Sequence, residues 1–354
     1  MDDKVKIGFV STYPPVVSGL SRYADELCDF MNSSFDDVCA DKLSINESKR
    51  YKKADQADFS EYDIMVYNIG NHPMNQRTFD YALKNPSLVV LHEFDISSLK
   101  VKPLFMSMMK MDPLSALVHS GNAFVVHSDY AKERIEERGA LVFKVNEFYF
   151  SRRGRDSNIG KESVGVFGYI AKSKGAFEIL DAYKKYADRG GTLKLFFAGN
   201  SADIDIETEI NKRNLQSMIS FYENPPDEEY DSMMENCIGA INLRTKHSGE
   251  TSANMLKLFS LEKHTAVNDL MNADENLSGC FYKIDSKDYQ TSLLKFFNDI
   301  EKNKGSEDEI SADCMKKMKE SHSIERVSEI WHQLFLRKNE LKKYIAEAKI
   351  KKAR

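Results

Sequence analysis

The chain has 354 residues, 42% hydrophobic and 30% charged, and its 55 acidic against 50 basic residues give a net charge of −5. That length fits two domains of about 150 residues and a tail, the composition excludes a disordered or fibrous chain, and the balanced charge leaves no field to gather nucleic acid. The five cysteines (Cys28, Cys39, Cys237, Cys280, Cys314) are scattered and never form a CxxC pair, so neither a disulfide framework nor a zinc cluster is expected, and a reducing compartment fits.

The opening Met-Asp-Asp-Lys runs directly into VKIGFV with no apolar signal-peptide core, and no apolar run approaches the roughly 18 residues of a membrane span. A cytoplasmic protein is expected, at most peripheral to the inner membrane face. In chain order, short β-rich runs at Val5 to Val10, Ile64 to Tyr67, Leu88 to Leu91, Ala123 to Val126 and Leu141 to Val145 alternate with helix-period segments at Leu20 to Met31, Gln76 to Leu83 and Tyr130 to Arg138. Alternation of this kind predicts a parallel sheet covered by helices on both faces.

The polar, glycine-bearing stretch from Ser151 to Glu162 reads as an interdomain linker. A second series follows, with strands at Ser163 to Tyr169, Leu193 to Ala198, Ile219 to Tyr222, Ile238 to Leu243 and Thr265 to Val267, and helices starting near Lys174, Ile206, Asp227 and Glu250. The expected boundaries are 1–152, 153–322, and 323–354 as one long helical pattern around Trp331 with a basic tail. In that tail Leu341, Tyr344 and Ala348 form a small apolar stripe among lysines, which suits either an anionic membrane surface or a solvated helix end.

In a doubly wound sheet, ligands meet the carboxyl ends of the strands, so the chemistry is sought there. After the first strand, Ser18 and Gly19 precede a helix whose free N–H groups suit an anion or a sugar hydroxyl, although Ser18 also reads as an ordinary N-cap. Asn68-Ile69-Gly70-Asn71-His72 leaves another strand through amides and a glycine. His92, Glu93 and Asp95 follow Leu88 to Leu91, and a histidine there can donate to a substrate hydroxyl or a leaving phosphate, while Asp95 suits a cap.

In the second half, Gly168 to Gly175 joins strand to helix and places Lys174 where a diphosphate would lie. It is neither a P-loop nor a GxGxxG, and neither pattern occurs in the chain. The densest cluster is LRTKHSGETSANMLKLFS: Arg244, Lys246 and His247 follow a strand, and Gly249, Glu250, Thr251 and Ser252 open a helix. The helix N–H groups with Thr251 and Ser252 would hold phosphate oxygens and Glu250 would accept from sugar hydroxyls. Asp203-Ile204-Asp205 matches a metal-binding DxD, but it precedes a helix, where a negative first turn explains it better.

Taken in order, PPVVSGLSRYADEL, YNIGNH, VVLHEFD, FVVHSDYAKE, VFGYIAKSKGAFEILDAY, FFAGN, PPDEEYDSMMENC, LRTKHSGETS and HTAVND resemble the retaining GT-B glycosyltransferase family that includes bacterial mannosyltransferases and sucrose synthase, in its branch with a GETS motif. The resemblance spans roughly Lys4 to Trp331. It implies an α/β GT-B fold of two doubly wound Rossmann-like domains facing across a cleft, with a C-terminal crossover helix, the first domain acceptor-side and the second nucleotide-sugar-binding.

It further implies a retaining, metal-independent hexosyltransferase that needs no cofactor beyond its donor substrate, a UDP- or GDP-sugar, and passes the sugar to a saccharide or lipid-linked acceptor. Glu250, His92 and Lys174 would carry the chemistry. Gly19, Gly168, Lys174, Arg244, Lys246, Gly249, Glu250, Thr251 and Ser252 would line the donor, and Asn71, His92 and Glu93 the acceptor side. The sequence departs from the family twice: Leu258, preceded by Lys257, stands where a second glutamate often holds the ribose, and Tyr169-Ile170 follows Gly168 where many members carry an arginine. These departures leave the nucleotide open and admit a non-catalytic partner of the same fold; a sugar-nucleotide epimerase on that fold is a further alternative.

Overall fold

A computed structural model describes residues 4–353 except 17, 104–109, 152–153, 155–157, 202, 247–248, 250, 272–276, 278 and 303–311. Its contacts divide the chain into two compact units: Met1–Glu147 with Ser248–Thr251 and Ser323–Arg354, and Phe148–His247 with Ser252–His322.

Among the described residues, unit 1 carries seven strands: β1 (Val5–Ser11), β2 (Val38–Ser44), β3 (Lys52–Lys53), β4 (Ile64–Ile69), β5 (Leu88–Leu91), β6 (Ala123–Val126) and β7 (Val142–Lys144). They lie parallel in the order β3-β2-β1-β4-β5-β6-β7. The helices are α1 (Gly19–Ser34), α2 (Gln76–Lys84), α3 (Pro113–Ser120) and α4 (Asp129–Glu136). β4, β5 and β6 are buried along their whole length, as strands covered on both faces must be.

Unit 2 repeats the plan with β8 (Ser163–Phe167), β9 (Lys194–Gly199), β10 (Ile219–Glu223), β11 (Gly239–Asn242), β12 (His264–Asn268) and β13 (Tyr282–Ile284), all parallel, in the order β10-β9-β8-β11-β12-β13. Its helices are α5 (Ala176–Asp188), α6 (Ile206–Lys212), α7 (Asp227–Asn236), α8 (Ala253–Ser260), α9 (Tyr289–Lys302) and α10 (Ala312–His322). The core under α5 and α9 is rich in aromatics, with Tyr183, Tyr186, Phe296 and Phe297 in one cluster.

Several sequence expectations change. The single terminal helix is two, α11 (Ile324–Leu336) and α12 (Lys338–Ala353), interrupted at Arg337. Strands β2, β3 and β13 are not among those the sequence predicts; β2 alternates buried and open positions weakly, and β3 is two residues long. The apolar stripe of the tail is spent inside unit 1: Leu341 is buried, and Tyr344 Oη accepts from the Leu141 amide, while Lys338 and Lys342 pair with Asp63.

Cysteine usage also needs correction, because Cys280 and Cys314 form a disulfide, with Cα atoms 5.6 Å apart. Cys314 of α10 and Cys280, 34 positions apart, share one buried cluster with Met255, Leu256 and Phe259 of α8, a pairing no local spacing reveals. The inference from cysteines to a reducing compartment therefore lapses. Among the described residues, no helix is long and apolar enough to cross a membrane.

Candidate functional site

Each sheet reverses its winding once. In unit 2 the chain runs from β8 outward through β9 and β10 and then returns to β11 on the other side of β8. The carboxyl ends of β8 and β11 are thus the topological switch point, where doubly wound sheets leave a crevice for ligands.

At the end of β8, Gly168 has φ +103° and its amide donates to Ala198 O. A side chain on Gly199, at φ +140°, would lie 2.0 Å from Gly168 O, so two backbones pass where only glycine fits. Tyr169 follows, 52% exposed. Lys172–Lys174 make one 3-10 turn, and Gly175 in the left-handed conformation then turns the chain into α5. Among the described residues no side chain caps α5; the Gly175 and Ala176 amides donate to Lys172 O and Ala171 O, which leaves the next amides of the turn as the ones suited to an anion. Lys174 is half-buried in this turn.

At the end of β11, Asn242 Nδ2 donates to Ser252 Oγ at 2.9 Å, and Ser252 is the N-cap of α8, accepting from the Met255 amide. The helix expected near Glu250 therefore begins at Ala253, and the N-cap reading accounts for Ser252. On the first turn of α8, Asn254 Nδ2 donates to Tyr230 Oη at 2.9 Å and lies 3.0 Å from where a Gly168 Cβ would be. Arg244 is buried: its Nη1 donates to Asn242 Oδ1 and Leu243 O, and its carbonyl accepts from Asn268 and Tyr289. Its guanidinium thus secures the end of its own strand. Lys246 is exposed, and His247 and Glu250 lie outside the described residues.

Lys257 and Asp231 form an ion pair that is almost wholly buried, and Leu258 fills the core beside Phe167 and Met233. Neither 257 nor 258 offers a carboxylate. The DxD resolves into backbone bonding: Asp203 Oδ1 accepts from the Lys172 amide, and Asp205 caps α6 through the Thr208 amide and hydroxyl, bonds that also lower its pKa.

Unit 1 has its switch point between β1 and β4. Ser18 caps α1, accepting from the Ser21 amide; Gly19 is exposed, and nothing stands within 4 Å of a Cβ placed there. Asn71 Oδ1 accepts from the Ser98 amide and Asp95 Oδ1 from the Ser97 amide, both ordering the loop after β5. Glu93 is half-buried in the same loop.

His92 is buried. Its Nε2 lies 2.6 Å from Asn68 Oδ1 and its Nδ1 4.0 Å from Glu147 Oε1. The rings of Tyr23 and His127 pack on it with centroids 4.9 and 4.8 Å away. Burial, then the neighbouring His127, hold its pKa well below the ordinary imidazole value. Tyr23 Oη accepts from Trp331 Nε1 of α11. The segment 248–251 belongs to unit 1 by its contacts: Ser128 Oγ donates to Gly249 O at 3.0 Å and Thr251 Oγ1 to His127 O at 3.3 Å. Gly249 has φ +67°, and a side chain there would meet the Tyr130 ring at 2.6 Å.

Sequence reasoning missed Asn68, His127 and Glu147 as members of this cluster. A signal existed for His127: β5 and β6 pair with Leu91 beside Val126, and each strand is followed at once by a histidine. Asn68 belongs to the strand exit read from sequence, but its pairing with His92 had no signal there, and neither had Glu147, since only the sheet order brings them to His92.

The sequence matches no protein-family model and no curated protein. Among solved structures it is similar to Anabaena Alr3699/HepE in complex with UDP, at 12% identity and a TM-score of 0.65 over 93% of this chain and 99% of that one. It is also similar to a glycosyltransferase from Rickettsia africae (11%, 0.67, 95% and 98%) and to sucrose-phosphate synthase from Thermosynechococcus elongatus (10%, 0.69, 94% and 99%). At such identities the likeness establishes the fold, two Rossmann-like domains of the GT-B kind.

Proposed function

We propose that the protein is a retaining, metal-independent glycosyltransferase that moves a sugar from a nucleoside-diphosphate donor to a saccharide or lipid-linked acceptor. The observation that carries this reading is the switch point of unit 2, where the chain leaves β8 through Gly168, makes the Lys172–Lys174 turn and enters α5 with no side-chain cap. Backbone amides and a lysine there suit a diphosphate, and they stabilise its charge as it leaves. The UDP complex of the similar Anabaena protein supports a nucleotide in this role, with UDP or GDP as the base-bearing part.

By the family resemblance, Glu250 would contact the donor sugar, Thr251 and Ser252 the diphosphate, and His92 the donor sugar or acceptor. By the same resemblance the protein would act in the cytoplasm, in polysaccharide or glycoconjugate assembly, where the Cys280–Cys314 bond would have to persist against a reducing environment. The buried Lys257–Asp231 pair and the core position of Leu258 favour a second reading, a partner protein that retains the fold and binds without turnover.

The test is a thermal-shift screen against UDP, GDP, ADP and their sugars without metal, repeated on Lys174→Ala. Stabilisation by one nucleotide series, about 2.7 kcal/mol at one hundred times Kd, and its loss in the variant are expected. No shift with any of them would sink the transferase reading, and donor binding with no hydrolysis or transfer would favour the second.

A further inference from the structure

The Asn68 side chain has no rotational choice. One end of its amide faces Leu20 O at 3.0 Å, and a carbonyl oxygen can only accept, so that end is the NH2 group; it also donates to Ser11 Oγ. Oδ1 is then the atom 2.6 Å from His92 Nε2. An amide oxygen can only accept as well, so Nε2 carries a hydrogen whether the imidazole is neutral or charged. In the neutral ring this leaves Nδ1 as an acceptor, 4.0 Å from Glu147 Oε1, with Tyr23 and His127 packed against the ring.

We propose that Asn68 is a positioning residue that locks His92 as the Nε2–H tautomer, so that Nδ1, beside Glu147, is the atom that accepts a hydrogen bond from a hydroxyl of the sugar substrate. The substrate half of this statement rests on the transferase reading; the tautomer half does not. On this proposal His92 accepts from the substrate instead of donating to it, because its Nε2–H is engaged by Asn68 Oδ1. A buried Asn on β4 fixes the chemistry of a histidine on the loop after β5 because the two strands pair with Ile69 beside Leu91.

The experiment is a long-range 1H–15N correlation spectrum of histidine-labelled full-length protein, with the His92 signals assigned by their absence in His92→Gln. Wild type is expected to show a protonated Nε2 and an unprotonated Nδ1. In Asn68→Ala, averaging between tautomers is expected, with the other histidine signals unmoved. A protonated Nδ1 in the neutral wild-type ring overturns the proposal even if the alanine variant does not fold, and so does an unaltered tautomer in a folded Asn68→Ala.

UDP-glucose and GDP-mannose are then added at concentrations that raise the melting temperature. Movement of the Nδ1 resonance supports its role as acceptor, and a sugar nucleotide that binds without moving it overturns that role. If no sugar nucleotide stabilises the protein, the transferase reading fails, and with it the substrate half of the proposal, while the tautomer result stands separately.

Discussion

His92 is kept neutral by burial and by His127, and that has a consequence for stability. In the unfolded chain its pKa is about 6.5. Above that pH both states are neutral and nothing is lost; below it the unfolded state takes up a proton that the folded state refuses. Stability should fall as pH drops below about 6.5, at up to about 1.4 kcal/mol per pH unit from this group, and urea midpoints measured against pH should flatten in His92→Gln. The thiols of Cys28 and Cys237 give a second prediction at this scale. Burial pushes both up to about 12, whereas Cys39 is partly exposed. A thiol reagent should label Cys39 alone in the native protein; modification of Cys237 without denaturant would contradict the packing around it.

At the scale of elements, α7 and α8 are joined by the buried Asp231–Lys257 pair. Removing one partner strips the other of its buried counter-charge, so Lys257→Ala should cost about 3–5 kcal/mol, and Asp231→Leu with Lys257→Met should cost less than the single change. Denaturant unfolding of the three proteins checks the order. Ser252→Ala removes the α8 cap and the bond from Asn242, for about 1 kcal/mol. The reading of α8 from sequence was nearly right because its apolar positions Met255, Leu256 and Phe259 have helical spacing. It began three residues too early because Gly249 and Thr251 are engaged by Ser128 and His127 instead, contacts more than a hundred residues away in sequence. Likewise β2 carries little apolar signal because its VCADKLS mixes buried and open positions, and β3, the edge strand, is only two residues long.

For the whole molecule, the disulfide is the largest correction. The Cys280–Cys314 bond spans 34 positions, and a loop of that size contributes about 3–4 kcal/mol by chain entropy. Cys314→Ser should lower the denaturant midpoint accordingly, and an equal midpoint with and without reductant in wild type would show that the bond is dispensable. The two alternating series of strands and helices were legible because buried parallel strands are continuous apolar runs: Leu88–Leu91 and Ala123–Val126 read from sequence as they stand in the sheet. The chain's local chemistry likewise marked the strand exits at Gly168, His92 and Ser252, since glycines, a histidine and a capping serine concentrate there. What each exit does depended on tertiary structure. Hydrogen-bond partners turned Arg244 onto its own strand, engaged the DxD with backbone, and set which nitrogen of His92 carries the proton, because a side chain's partners are chosen by strand order and burial, quantities that no stretch of sequence contains.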